Sequence, residues 1–314
     1  MVKTVNLKEI ANGMDWKKES SIYRKVQRFF ANFAFKTEDL VKIILDLISI
    51  DWPYFLSMDR TNWKYGDKNI NILTIGIVYW KVAIPIYWEL LDKRWNSNCK
   101  ERKKVIEKVI EILWWKENIA WILADREFIG QEWFEFLISQ NIPFWIRIKE
   151  NFKIDWNNKV VLSLFRWLWG TQRTLKKAIK IKWNKLYLSA INNRWENLIV
   201  ASNMQNHNTI ALYKKRRSIE VLFGYLKTTW FNFEDTHLTK HDRISKLFGI
   251  LGIAVVWCYK VWELQENVIP TKIKKHWRKA ISTFKIGLRI IASFFYWTFR
   301  ELKISLIFKV LSCT

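Results

Sequence analysis

The spacing of apolar and polar positions changes character along the chain. Residues 1–50 read as helix: SSIYRKVQRFFANF sets aromatic positions among Arg and Lys, and TEDLVKIILDLI runs periodic apolar residues after a Thr cap. The period then shortens. PYFLSMDRTNW is a short apolar run ending in an acid, and NILTIGIVYW and KVAIPIYWELL are β-rich and closely spaced, which predicts a three-stranded meander. ERKKVIEKVIEIL is an amphipathic helix, AWILADREF a strand running into an acid, GQEWFEFLISQN a helix and PFWIRIKEN a strand. Between 151 and 204 short strands dominate (KVVLSLF, TLKKAIKIK, KLYLSAI, ENLIVAS) and read as a β insertion. A long helix follows from about Thr209 to Thr228, with Asn208 as its cap. A second helix accompanies HLTKHDRISKLF, and the apolar 247–262 segment forms a third. From Thr271 onward there are ten basic residues and one acid, Glu301.

This order of elements is mixed α/β, a central sheet with antiparallel and parallel portions flanked by helices. It divides the chain into a helical N-terminal region (1–50), a sheet-forming first part (51–150), the β-rich insertion (151–204), a second part carrying the long helix (205–265) and a basic C-terminal region (266–314).

Charge narrows the partner. Lys plus Arg number 53 against 29 Asp plus Glu, a net charge of +24. That excess repels itself unless polyanions are near, which favours nucleic acid over an acidic membrane surface. The opening MVKTVNLKEI has no apolar signal core, and the most apolar stretch, Leu247 to Trp262, is shorter than the ~20 residues that span a bilayer. Three cysteines, Cys99, Cys258 and Cys313, are too scattered for a disulfide framework or a zinc knuckle. No membrane partner and a cytoplasmic, nucleoid-associated location are expected.

Tryptophan and glycine are out of proportion: 21 Trp against 9 Gly, where average usage of ~7% gives about 22 Gly. Trp95 (KRWNSN), Trp156 (DWNN), Trp183 (KWNK) and Trp195 (NRWEN) sit among Asn, Asp and Lys in turn-like stretches, where positive φ favours Gly or Asn. The expectation is that many Trp codons are UGA, read as glycine by the source organism. The competing reading is a Trp-rich surface for stacking bases.

Three acids carry the candidate chemistry. Asp59 and Asp125 each end an apolar strand, where α/β sheets place their sites. Glu220 is the only acid between Asn197 and Phe233, among Lys214, Lys215, Arg216, Arg217 and Lys227. At ~100° per residue, Tyr213, Arg216, Glu220 and Lys227 share one helix face beside an apolar stripe of Ile219, Leu222, Phe223 and Leu226. Taken singly, each acid also reads as a loop cap or a solvated ion pair. Converging, the three would bind two divalent metals for in-line phosphodiester displacement, and hard carboxylate oxygens suit Mg²⁺ or Mn²⁺. His237 and His241 lack a completing ligand set and read as structural or DNA-contacting.

The spacing Tyr213-x2-Arg216-x3-Glu220-x6-Lys227 resembles the Tyr-Arg-Glu-Lys signature of bacterial insertion-sequence transposases of the DDE class. SMDRTNWKYG resembles the segment with that family's first catalytic acid, Asp59, and LADREFIG the segment with its second, Asp125. NFEDTHLTKHDRISKL and the following CYKVWE extend the likeness over about residues 50 to 280. The resemblance implies an RNase H-like catalytic domain with a β-rich insertion, metal-dependent cleavage of transposon ends, and strand transfer by 3′-OH attack. Related members pass through a DNA hairpin. Asp59 would contact both metals, with Asp125 and Glu220 supplying one each; Tyr213, Arg216 and Lys227 would grip DNA phosphates. Partners implied are double-stranded DNA, as terminal inverted repeats and target, with the helical region 1–50 expected to bind DNA, and a dimer in the DNA complex. Arg217 departs from the family's usual Trp, and Trp95, Trp230 and Trp277 stand where members commonly carry Gly. A repurposed or decayed DNA-binding derivative and an RNase H-like nuclease are the alternatives.

Overall fold

Three N-terminal helices, α1 (Leu7–Met14), α2 (Glu19–Asn32) and α3 (Thr37–Ile48), precede a meander of β1 (Tyr54–Tyr65), β2 (Lys68–Tyr79) and β3 (Val82–Leu90). Then come α4 (Cys99–Ile112), β4 (Ile119–Ala124), α5 (Gln131–Ser139) and β5 (Phe144–Ile148). The insertion supplies β6 (Arg173–Thr174), β7 (Ile179–Ile181), β8 (Asn184–Asn192) and β9 (Asn197–Ser202). Short helices α6 (Thr209–Tyr213) and α7 (Arg217–Gly224) follow, then α8 (His241–Val268) and α9 (Thr283–Trp297). The computed structural model describes residues 4–297 except 15–17, 35, 49, 156–157, 166–167, 169, 193–195 and 276–278. Expectations for Trp156, Trp195, Trp277 and the basic segment after 297 lie outside the described residues.

The described chain forms two units, residues 51–225 and residues 1–50 with 226–314. In the first, the strand order is β3-β2-β1-β4-β5-β9-β8-β6, with β7 beside β8. β1 pairs antiparallel with β2 and parallel with β4, and β4 pairs parallel with β5. This is the mixed sheet, antiparallel and parallel in part and flanked by helices, that the sequence predicts. Continuous burial along β2 and β3 (Ile72, Leu73, Ile75, Ile77; Val82, Ala83, Ile84, Ile86) shows these apolar runs covered on both faces, β2 inside the sheet and β3 at its edge. α4 is fixed at its start by a capping box: Asn98 accepts from the Glu101 amide, and Glu101 reaches back to the Asn98 amide.

Four expectations need correction. Asp59 does not end its strand, because β1 runs on to Tyr65, its polar second half held by pairing through Tyr65↔Lys68. KVVLSLF is not a strand but an isolated bridge at Val160 followed by a 3₁₀ turn over Val161–Leu164. The long signature helix is segmented: α6, a 3₁₀ turn over Lys214–Arg216, α7, and a π turn over Tyr225–Thr229, with no side-chain cap from Asn208. The helix expected with HLTKHDRISKLF and the one expected over 247–262 are a single α8.

Among the described residues the second unit is built of helices, with one isolated bridge at Ile273↔Lys279. α3 buries Leu40, Val41, Ile44, Leu47 and Ile48. α8 buries Ile244, Leu247, Phe248, Leu251, Val255, Cys258, Tyr259 and Trp262. α9 packs so closely on α8 that a Cβ at Gly287 would collide with the Cys258 carbonyl. By length and composition α8 is apolar enough to cross a membrane, yet 61% of its most apolar window is buried inside the protein.

Tryptophan occupies left-handed backbone at Trp80 (φ 51), Trp114 (φ 64) and Trp183 (φ 65). Trp114 follows the C-cap of α4, and its indole is 81% exposed. Lys182 and Trp183 are the two turn residues between Ile181 and Asn184, paired across the β7–β8 hairpin. A helix C′ position and a two-residue hairpin turn with positive φ are places where glycine is strongly preferred.

Candidate active site

β1 brings Asp59 to the middle of the sheet, where its Oδ1 accepts from the Arg60 amide at 2.8 Å. β4 ends at Ala124, so Asp125 stands at the carboxyl end of the neighbouring parallel strand, in register with Met58↔Ala124. α7 carries Glu220 over this region, its Ile219 and Leu222 wholly buried. Ser57 Oγ donates to the Arg216 carbonyl at 3.1 Å and ties β1 to the signature segment.

Arg216 is the hub. Its Nη1 donates to Asp59 Oδ2 at 3.1 Å, and its Nη2 pairs with Glu220. Burial pushes the Asp59 carboxyl up to about 6; Arg216 and the Arg60 amide pull it down, while Glu127 and Asp125 push it up again. Burial alone would lower Arg216, but Tyr213, Asp59, Asp125 and Glu220 hold it above its ordinary value. Tyr213 is buried rather than presented to a ligand. Its hydroxyl donates to the Ala124 carbonyl at 3.1 Å, beside Asp125, and burial pushes its pKa up.

The structure therefore joins Asp59 and Glu220 through Arg216 and sets Asp125 near enough to influence Asp59 and Arg216. It does not close them into a cage: among the described residues no three His, Cys, Asp or Glu groups are gathered to hold a metal ion. In donor chemistry the residues still fit a hard divalent cation, since all three are carboxylates and Asp125 Oδ1 is buried without a hydrogen-bond partner. Lys227 lies in the helical unit and pairs with Glu234 at 2.7 Å.

Sequence reading missed the frame around the acids. Arg60 donates through Nε to Glu127, through Nη1 to Asn71 at 3.2 Å and through Nη2 to Asn96 at 2.8 Å. Buried Arg102 donates to Ser97 and to the Glu127 carbonyl at 3.0 Å. Thus the residues just after Asp59 and Asp125 are linked to one another. The one local signal was a charged residue of opposite sign shortly after each acid, Arg60 after Asp59 and Glu127 after Asp125. Beside Glu220 a cleft of about 510 Å³ is lined by Arg147, Glu196, Lys214, Arg216 and Arg217. Arg147 is paired with Glu196 there.

Residues 53–257 match the family described as the transposase DDE domain. No curated protein matches the chain. Among solved structures it is similar to the piggyBac transposase in its synaptic complex with hairpin DNA, with 11% identity and a TM-score of 0.45 over 86% of this chain. The chain spans 59% of that transposase chain. It is also similar to the catalytic core domain of HTLV-2 integrase in complex with magnesium in its dimeric form. There the identity is 18% and the TM-score 0.25, covering 30% of this chain and 61% of that one.

Proposed function

Because the chain belongs to the DDE transposase-domain family, we propose that it cuts DNA at the ends of a mobile element of the bacterial insertion-sequence kind and joins the freed ends to target DNA. One observation carries the reading: the matched stretch contains Asp59, Asp125 and Glu220, and Arg216 binds two of those acids at once.

Asp59, Asp125 and Glu220 would hold the metal. Bound Mg²⁺ or Mn²⁺, two ions by preference, would activate the attacking oxygen and stabilise the leaving one. The protein's own part is positional. Ser57 holds the signature turn on β1, Tyr213 holds the end of β4, and the Arg60–Glu127 bridge steadies both acid-bearing segments. Lys214, Arg216 and Arg217, on the Glu220 cleft, receive the phosphates flanking the cut. Lys227, paired with Glu234 here, would exchange that partner for a phosphate. Water attacks phosphorus and expels a 3′-OH; that hydroxyl then attacks a target phosphodiester and expels its 3′ oxygen, so one bond forms for each broken. Pairing of two element ends implies a dimer on DNA.

The test is incubation of the full chain with Mg²⁺ and DNA carrying the repeats that flank its gene. Asp59→Ala, Asp125→Ala and Glu220→Ala should each lose cleavage and strand transfer while still binding the ends. Cleavage at the wild-type rate by any one of them overturns the assignment.

A further inference from the structure

Two duties fall on Arg216, and one position cannot serve both. Its guanidinium holds Asp59 Oδ2 through Nη1 at 3.1 Å and pairs with Glu220 through Nη2, so one side chain occupies an oxygen on each of two acids. The other Asp59 oxygen is also taken, Oδ1 accepting from the Arg60 amide at 2.8 Å. The guanidinium is therefore a resident cation on two of the three carboxylates. A divalent ion on the same oxygens would have to displace its donors and would be repelled by its charge. Asp125 differs: its Oδ1 is buried and has no hydrogen-bond partner.

The same Arg216 side chain lines the cleft of about 510 Å³ beside Glu220. There Arg147 is neutralised by Glu196, while Lys214 and Arg217 are in no ion pair among the described residues. An anion entering the cleft meets these two cations and competes with the acids for Arg216. The backbone permits the exchange. Ser57 Oγ donates to the Arg216 carbonyl and keeps the main chain on β1, so the guanidinium can turn about its own side-chain bonds without unseating α7. Arg216 also closes the 3₁₀ turn over Lys214–Arg216 that interrupts the signature segment, and a 3₁₀ stretch within a helix often marks a point of movement.

We propose that Arg216 is a gate: seated on Asp59 and Glu220 it keeps divalent metal off those carboxylates, and a DNA phosphate in the cleft draws it away and opens them. Substrate binding and metal loading are then coupled through one side chain, each favouring the other to the same extent. The apparent metal affinity falls by the fraction of time that Arg216 is off the acids, so a guanidinium seated about nine-tenths of the time weakens it about tenfold. The centre is completed only with substrate in place, which guards against stray cleavage. The inference rests on the reading of Asp59, Asp125 and Glu220 as the acids that hold the metal.

Manganese binding by the full chain, followed as loss of the free Mn²⁺ electron paramagnetic resonance signal, tests the gate without any cleavage. Arg216→Ala should bind Mn²⁺ about tenfold more tightly than wild type, and adding Asp59→Asn should remove the gain. A purely structural role for Arg216 gives the opposite sign, since a distorted site binds metal more weakly. A duplex copying the DNA beside the gene, its own Mn²⁺ uptake subtracted, should raise the affinity of wild type and leave that of Arg216→Ala unchanged. Should Arg216→Ala unfold, wild type decides: the slowly rotating guanidinium N–H signals of Arg216 in ¹⁵N NMR, assigned by their loss in Arg216→Lys, should vanish on titration with Mg²⁺. Equal or weaker Mn²⁺ affinity in a folded Arg216→Ala, or Arg216 signals that persist at saturating Mg²⁺, would overturn the gate and leave the catalytic reading standing. Metal binding that neither Asp59→Asn nor Glu220→Gln weakens would instead remove the three-acid site, and the gate with it.

Discussion

Two regions of the molecule, one in each unit, handle positive charge in opposite ways. In residues 51–225, Arg60, Arg147 and Arg216 are each matched to a carboxylate, Glu127, Glu196, and Asp59 with Glu220 respectively. In the helical unit Lys8, Arg24, Arg28, Lys240 and Arg243 line two adjoining clefts, and among the described residues none of the five is in an ion pair. Matched charges fix side chains where chemistry needs ångström-level placement. Unmatched charges leave a field that an incoming polyanion satisfies, and release its counterions. The same residue type is thus paired in one region and unpaired, among the described residues, in the other.

The sharpest way to break this contrast is to remove one arginine from each side. Arg216→Ala leaves two acids without their counter-ion and should cost about 3 kcal/mol in urea unfolding at neutral pH. Arg24→Ala should stay within about 0.5 kcal/mol, since it holds nothing in place. Equal losses in the two variants would erase the distinction.

Titration sharpens it further. The folded Asp59 carboxyl sits at about 6, above its ordinary 3.8, so the folded state binds the proton more tightly than the unfolded one. The resulting stabilisation is complete below pH about 4 and disappears as pH rises through about 6, a change of at most about 3 kcal/mol. Thermal melts across that window should show the fall in wild type and lose it in Asp59→Asn. An equal fall in Asp59→Asn would assign it elsewhere.

A smaller effect tests the tryptophans. Trp114→Gly and Trp183→Gly should each stabilise the protein by about 1 kcal/mol, the strain of a bulky residue in left-handed backbone less any lost packing. For Trp183 that loss includes the Lys180 ammonium, 4.6 Å over its ring. Peptide masses from the native host reporting Trp at position 183 would end the recoding reading.

Much of the fold could be read before the structure. The meander, α4, β4, α5 and β5 follow from the apolar period and residue type along the chain. The errors share a cause: local pattern does not report pairing. β1 outlasts its apolar run because β2 covers its polar half. β8 and β9 look like a separate module, but β9 pairs with β5 and continues the central sheet. At the site the three acids and Arg216 were legible from type and spacing. The Arg60–Glu127 bridge was not, because it joins residues 67 apart, and neither was the burial that turns Tyr213 into a strut for β4.

That continuity of the sheet has a mechanical consequence. Ile199↔Ile148 and Ala201↔Ile146 bind the inserted hairpin to β5, and Ile146↔Ala124 passes the same ladder to the residue preceding Asp125. A load applied to the insertion is delivered as shear to the strand that leads into Asp125, so the two cannot move as independent hinged bodies.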